Sequence, residues 1–262
     1  AIACWHLFLC CLVRAAEITW AQLQIKGRAG SSMAAGEPVG GELINREEAL
    51  DECVELLDIL GKRDIVATAA GSGWGKSAFL DALVSRLRNT GMYYPIPISW
   101  NNFTAVDYER NWASNTPTWE EIDFSVAVRI AHAVFQPTSA FGTFTSLFRH
   151  NMIKCEALMC LIDGKVPDNK KIVLIMDDMI ETRQVGKLQQ FIQVCTSYCT
   201  HKGKSSRWRL VATTLAPIHL TISNAPMRRV SHGGDNAITT YNWIVLGRGA
   251  NEERQLIGRL PW

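Results

Sequence analysis

The sequence predicts an α/β fold, a mostly parallel sheet with helices on both faces. Three observations carry that expectation. Short β-rich runs alternate with stretches of helical period along most of the chain. One run, Ile172–Met176 (IVLIM), is apolar without interruption, as a parallel strand covered on both faces requires. Another, Ile65–Ala69, leads through a glycine-rich turn straight into a helical stretch, and a helical crossover returns the chain for a parallel strand.

Composition sets the bounds. The 262 residues include 27 Lys+Arg against 25 Asp+Glu, a formal charge of +2, with 47% hydrophobic and 20% charged residues. A chain of this length buries roughly three quarters of its unfolded surface, so its core needs no staples. With 19 Gly and 9 Pro, collagen and low-complexity classes are excluded. The small net charge excludes a chain-wide field aimed at nucleic acid or an anionic membrane. The 8 cysteines include no C-x-x-C pair and read as buried reduced thiols, which points to an intracellular compartment, cytoplasmic or nuclear. The 6 His show neither metal-ligand spacing nor a nucleophile–base pattern.

Ala1–Val13 (AIACWHLFLCCLV) is apolar but shorter than the ~18–20 residues of a membrane span, so no membrane partner is expected. It reads as a strand or helix packing on the main domain of a longer protein, with a secretory h-region as the other reading. Lys26–Gly41 is Gly/Ser-rich, so residues 1–44 are an apolar segment and flexible linker. Asn45 with Glu48 forms a capping box, and Leu50, Cys53, Val54, Leu57 and Leu60 make one helical stripe ended by Gly61. Ile65–Ala69 is a strand. Ala78–Asn89 is a helix with Phe79, Leu80, Leu83, Val84 and Leu87 at helical spacing and Gly91 beyond it.

Tyr94–Trp100 reads as a strand, and Pro95 and Pro97 confine it to an edge by removing donors from one side. Thr118 and Glu121 form a second capping box before a helix with Ile122, Val126, Ile130 and Val134 on one face. Ser139–Ile162 reads as continued helix. After Ile172–Met176, Val185 to Cys199 mark another helix, Trp208–Thr214 and Trp243–Leu246 two more strands, and Ala250–Leu260 the start of a last helix.

Ala70–Ser77 reads A-G-S-G-W-G-K-S and fits the phosphate-loop pattern, placed between a strand and a helix as that pattern requires. Gly71, Gly73 and Gly75 allow amides to wrap a phosphate that a Cβ would obstruct. The helix beginning at Lys76 aims its positive end at the same point. The binding set is therefore Ala70, Gly71, Ser72, Gly73, Trp74, Gly75, Lys76, Ser77 and Ala78, with Lys76 reaching the β/γ-phosphates and Ser77 a magnesium ion. A phosphate loop also predicts a buried strand ending in an acid. Ile172–Met176 runs into Asp177, on the magnesium side, and Asp178, where a base polarises water.

With these motifs the chain resembles P-loop NTPases of the branch that includes AAA+ and STAND ATPases. The resemblance covers roughly Arg46–Leu246 and implies a three-layer fold, a mostly parallel five-stranded sheet in which a further strand separates the phosphate-loop strand from the acid-bearing one. Ser206–Thr214 resembles that strand, making Thr213 or Thr214 the polar sensor of the γ-phosphate. The family's order also puts the second strand at an edge, in agreement with Pro95 and Pro97. Paired Asp177-Asp178 is closer to the STAND pattern, and the long stretch Asn101–Lys171 is similar to insertions in crinkler and retrotransposon-hot-spot proteins.

Three positions depart from the family pattern. Ala70 replaces a glycine, Asp178 stands in for Glu and shortens the reach toward water by ~1.5 Å, and Leu215 follows the Thr pair where many relatives have Arg. The family's helical lid would begin near Gly249.

The expected organisation is an NTPase core over residues 45–247 and the start of a helical region over 248–262. The expected activity is magnesium-dependent binding and hydrolysis of ATP, favoured over GTP because an N-K-x-D run is absent. The alternative is a nucleotide-controlled switch with little turnover, and a small-molecule kinase is a third reading. A protein partner or homo-oligomer is compatible with either of the first two. His201–Arg209, basic with one tryptophan, could touch a nucleic-acid backbone but reads first as a solvated loop, and Arg228, Arg229 and Arg248 could reach a γ-phosphate.

Overall fold

The computed structural model describes residues 46–59, 65–69, 75–100, 118–136, 140–148, 153–177, 207–214 and 241–245; for 69, 214 and 241–245 it describes backbone alone. Helix α1 (Glu47–Ile59) precedes β1 (Ile65–Ala69), α2 (Lys76–Thr90) and β2 (Tyr93–Ser99). Then come α3 (Trp119–Phe135), α4 (Phe141–Ser146), α5 (Cys155–Asp163), β3 (Lys171–Asp177), β4 (Trp208–Thr214) and β5 (Tyr241–Val245).

Four strands in the order β2-β3-β4-β1 form the body of a parallel sheet, and β5 continues the order beyond β1. Side chains alternate across the sheet, and each face carries its own apolar cluster. On one face Val66, Tyr93, Val173, Ile175 and Val211 meet Leu50, Cys53 and Leu57 of α1 and Phe79, Leu80, Leu83 and Leu87 of α2. On the other, Ile65, Ala67, Ile96, Ile98, Ile172, Leu174, Met176, Leu210 and Ala212 meet α3, α4 and α5. Burying one large side chain such as Phe79 contributes about 1.5–3 kcal/mol, so two such clusters hold the layers together.

The local chemistry explains the element ends. Thr118 accepts from the Glu121 amide while the Glu121 carboxylate accepts from the Thr118 amide, which completes the predicted capping box. Beyond α2, Gly91 adopts φ 70°, a left-handed conformation that ends the helix with its N–H on the Arg88 carbonyl. Pro95 and Pro97 lie opposite Val173 and Ile175, and β2 is the sheet's outer strand on that side, where missing donors cost least.

One expectation needs correction, and one helix goes beyond its expectation. Ser139–Ile162 is not one helix: α4 is a single short stretch, Leu147 and Phe148 turn, and α5 begins at Cys155. The Thr145 hydroxyl donates to the Gly142 carbonyl and the Ser146 hydroxyl to the Thr143 carbonyl, so local side chains compete with helix propagation. Helix α3 buries the expected face of Ile122, Val126, Ile130 and Val134, and it buries Asp123, Phe124, Ser125, Val128 and Arg129 as well. It packs against the sheet on one side and α4 and α5 on others, which a single-stripe reading does not anticipate.

The capping role of Asn45, the stop at Gly61, the helix over 185–199 and the proposed regions 1–44 and 248–262 lie outside the described residues. Among the described residues no helix is long and apolar enough to cross a membrane.

Candidate functional site

The chain leaves β1 at its carboxyl end and re-enters regular structure at α2, so the amino end of α2 lies at the carboxyl edge of the sheet. Ala70, Gly71, Ser72, Gly73 and Trp74 fall outside the described residues. Gly75 is described: it adopts φ 77°, ψ 27°, which an L side chain resists, and its carbonyl accepts from the Phe79 amide at 2.8 Å. This junction brings no side-chain cap to α2, and the first turn holds no acid. The amino end of a helix carries partial positive charge and favours an anion. Lys76 and Ser77 are half-buried in that first turn, and Ala78 is exposed.

Beneath this helix end the sheet carries a polar row. Register pairs Ser99 with Asp177 and Thr68 with Thr213, and the pairing of Met176 with Ala212 sets Asp177 beside Thr213. All four share parity with the residues that face α1 and α2, and Thr68, Asp177 and Thr213 stand two residues beyond Val66, Ile175 and Val211 of that cluster. All four are buried, with Asp177 at 0% exposure. The Thr213 hydroxyl donates to Asp177 Oδ1 at 2.7 Å, and the Asp177 carbonyl accepts from the Trp100 amide at 3.3 Å. Among the described residues two buried oxygens in the row have no hydrogen-bond partner, Asp177 Oδ2 and Thr68 Oγ1.

An unpartnered, fully buried carboxylate oxygen is costly, and such atoms persist where something else satisfies them. Oxygen donors suit a hard divalent cation. Magnesium in particular is held by one or two protein oxygens together with waters and phosphate oxygens. Asp177 Oδ2 and the Ser77 hydroxyl at the start of α2 are donors of that kind. No cluster of three or more His, Cys, Asp or Glu side chains that could hold a metal occurs among the described residues. The residues present thus fit a cation that brings most of its own oxygen shell.

The structure brings Asp177 and Thr213 into direct contact and sets Gly75, Lys76, Ser77 and Ala78 at the same edge of the sheet. Asp178, Arg228, Arg229 and Arg248 lie outside the described residues, and Thr214 is described only as backbone opposite Ala69. Sequence reading missed Thr68 and Ser99. The available signal was alternation, since both share parity with Asp177 and Thr213 on aligned strands.

The basic patch requires a correction over its described part. Arg207 donates to Asp163 Oδ1 at 2.9 Å and to the carbonyls of Asp163, Val166 and Pro167, while Trp208 Nε1 donates to Asp163 Oδ1 at 3.2 Å. Arg209 is buried and donates to the Leu57 carbonyl at 3.1 Å. These donors are spent on the chain itself, so Arg207, Trp208 and Arg209 form no solvated loop and no phosphate-binding surface.

No family model matches the chain, and no curated protein matches it. Among solved structures it is similar to a chain of Drosophila ORC bound to poly(dA/dT) DNA and Cdc6, at 12% identity and TM-score 0.46 over 76% of this chain and 28% of that one. It is similar to Cdc6p from Pyrobaculum aerophilum at 14% identity and TM-score 0.42, over 74% of this chain and 47% of that one. A third likeness is to the Aeropyrum pernix ORC1 protein in complex with DNA, at 15% identity and TM-score 0.38, over 80% and 47%. The chain spans less than half the length of each of these three. Likenesses at such TM-scores decide nothing about activity.

Proposed function

We propose that the chain is a P-loop NTPase module of three layers on a five-stranded sheet, binding ATP with Mg²⁺ and hydrolysing it. One observation carries the reading. Asp177 ends a buried strand with Oδ2 unpartnered among the described residues, on the face covered by α2, which begins at Lys76 within the A-G-S-G-W-G-K-S run. The position of β4 between β1 and β3 supports the AAA+/STAND branch within that class.

When bound, Mg²⁺ supplies charge neutralisation on the phosphate oxygens. Asp177 and Ser77 would hold it. Lys76 offsets negative charge on the β- and γ-phosphates, and the loop amides from Gly71 to Ser77 cradle them. Ala78 lies in the first turn of α2, next to the amides that face the anion. Asp178 orients the attacking water and accepts its proton. Because Asp178 is shorter than the Glu usual there, a switch that binds nucleotide with little turnover is the second reading.

A titration of ATP with Mg²⁺ tests the main claim. Wild type is expected to bind, and to gain about 2.7 kcal/mol of stability against urea at a nucleotide concentration 100 times Kd. Lys76→Ala is expected to lose both effects, and equal ATP affinity in the two proteins would remove the reading. Single-turnover phosphate release separates hydrolysis from the switch, which predicts binding without release.

A further inference from the structure

We infer that Thr213 is a positioning residue for Asp177 and not a reporter of the γ-phosphate. The inference rests on the nucleotide-binding reading above. A threonine hydroxyl owns one hydrogen. Two acceptors stand near Thr213 Oγ1, the Met176 carbonyl at 3.4 Å and Asp177 Oδ1 at 2.7 Å. The shorter contact has the length of a hydroxyl bonded to a carboxylate, and it takes the hydrogen. Phosphate oxygens accept; they do not donate. A sensor hydroxyl must therefore have a hydrogen to give, and that of Thr213 is already given to Asp177.

The same bond orients the carboxylate. Thr213 is buried and β-branched, so few rotamers are open to it and its oxygen is fixed relative to the sheet. Asp177 is held from its own backbone as well, through the Trp100 amide on its carbonyl. With Oδ1 engaged, Oδ2 is the oxygen left to meet a cation, and it is the one without a partner. Such support around a ligand fixes its orientation and strengthens metal binding without touching the metal.

The test compares Thr213→Val, which deletes the hydroxyl and keeps the branch, with Thr213→Ser, which keeps the hydroxyl. Fluorescent ATP and ADP analogues report affinity across a series of Mg²⁺ concentrations and in EDTA, and Mn²⁺ paramagnetic resonance reports the metal directly. Thr213→Val is expected to raise the half-saturating Mg²⁺ and Mn²⁺ concentrations by about tenfold or more. Its ATP affinity in EDTA and its ATP-over-ADP preference are expected to match wild type, and Thr213→Ser to restore the metal affinity. If Thr213→Val fails to fold, Thr213→Ala takes its place in the same comparison. An unchanged metal requirement overturns the inference, whether or not the ATP-over-ADP preference is lost. If wild type itself binds no ATP with Mg²⁺, the nucleotide reading falls too, a pattern distinct from a defect confined to the Thr213 variants.

Discussion

Arg129 shows what one buried side chain can carry in this fold. It lies within α3 at 2% exposure, and its Nε donates to the Ser99 carbonyl at 2.9 Å. One terminal nitrogen donates to the Ser125 carbonyl at 2.9 Å and hydroxyl at 2.7 Å. The guanidinium carbon sits 4.8 Å from the Trp100 ring centroid and 5.5 Å from that of Phe141. Burying a cation is tolerable because these carbonyls, hydroxyl and ring faces replace its water. Arg129 thereby ties α3 to the end of β2, next to the strand that carries Asp177. Arg129→Met is expected to lower stability by about 3 kcal/mol, since it leaves buried acceptors without donors. Equilibrium urea unfolding measures this. Arg129→Lys should recover less than half, because an ammonium cannot reproduce the planar fork. A midpoint shift near zero for Arg129→Met would show that the cluster merely fills space.

Helix ends are where sequence and geometry agree best. Gly91 has φ 70° and an added Cβ there would meet nothing within 4 Å, so only the backbone objects to a side chain. Gly91→Ala is expected to cost about 1 kcal/mol in thermal or urea unfolding with the fold unchanged. A loss several times larger would mean that the α2–β2 turn depends on more than φ. The same stop was readable in the sequence because a glycine after a run of helical period has few other uses. The edge position of β2 was readable from Pro95 and Pro97, and the buried strand β3 from an apolar run broken only at Asp177. Other features were hidden for physical reasons. A threonine in a helical stretch does not announce that its hydroxyl will bond backward, so the break between α4 and α5 was missed. Periodicity reports the most apolar stripe alone, so the wrapping of α3 on nearly all sides was invisible. The site was half legible: the spacing of Lys76, Ser77 and Asp177 marked it, whereas the polar row joining Thr68, Thr213, Asp177 and Ser99 exists only once the strands are aligned.

At the scale of the whole molecule, the polar row at one end of the sheet is matched by an ionic junction at the other, and that junction adds its own pH-dependent contribution to stability. Asp58, near the end of α1, accepts from Tyr93 Oη at 2.5 Å and pairs with Lys171 Nζ at 2.6 Å, so one carboxylate joins α1, β2 and β3. The bonds from Lys171 and then Tyr93 hold Asp58 below its ordinary value of 3.8, with Arg209 adding a smaller pull. A lowered folded value means that ionisation favours the folded state. The contribution of Asp58 is complete above the unfolded value, and it disappears as pH falls through the lower folded value. Tyr93 behaves in the opposite sense. Burial, and next its bond to Asp58, raise its phenol above the ordinary 10.0, so its contribution is present below that pH and is lost as pH rises through the folded value. The urea midpoint of wild type is therefore expected to fall in acid below pH 3.8 and again in alkali above pH 10.0. Asp58→Asn should flatten part of the acid limb and, by removing the carboxylate beside the phenol, soften the alkaline one. Tyr93→Phe should remove the alkaline contribution of this residue while leaving Lys171 to sustain much of the acid limb. Because Asp58 is 44% exposed, solvent screens the pair, and raising salt should shrink the acid effect. If Asp58→Asn left both limbs unaltered at low salt, the junction would contribute packing alone, and acid sensitivity would have to arise from carboxylates elsewhere in the chain.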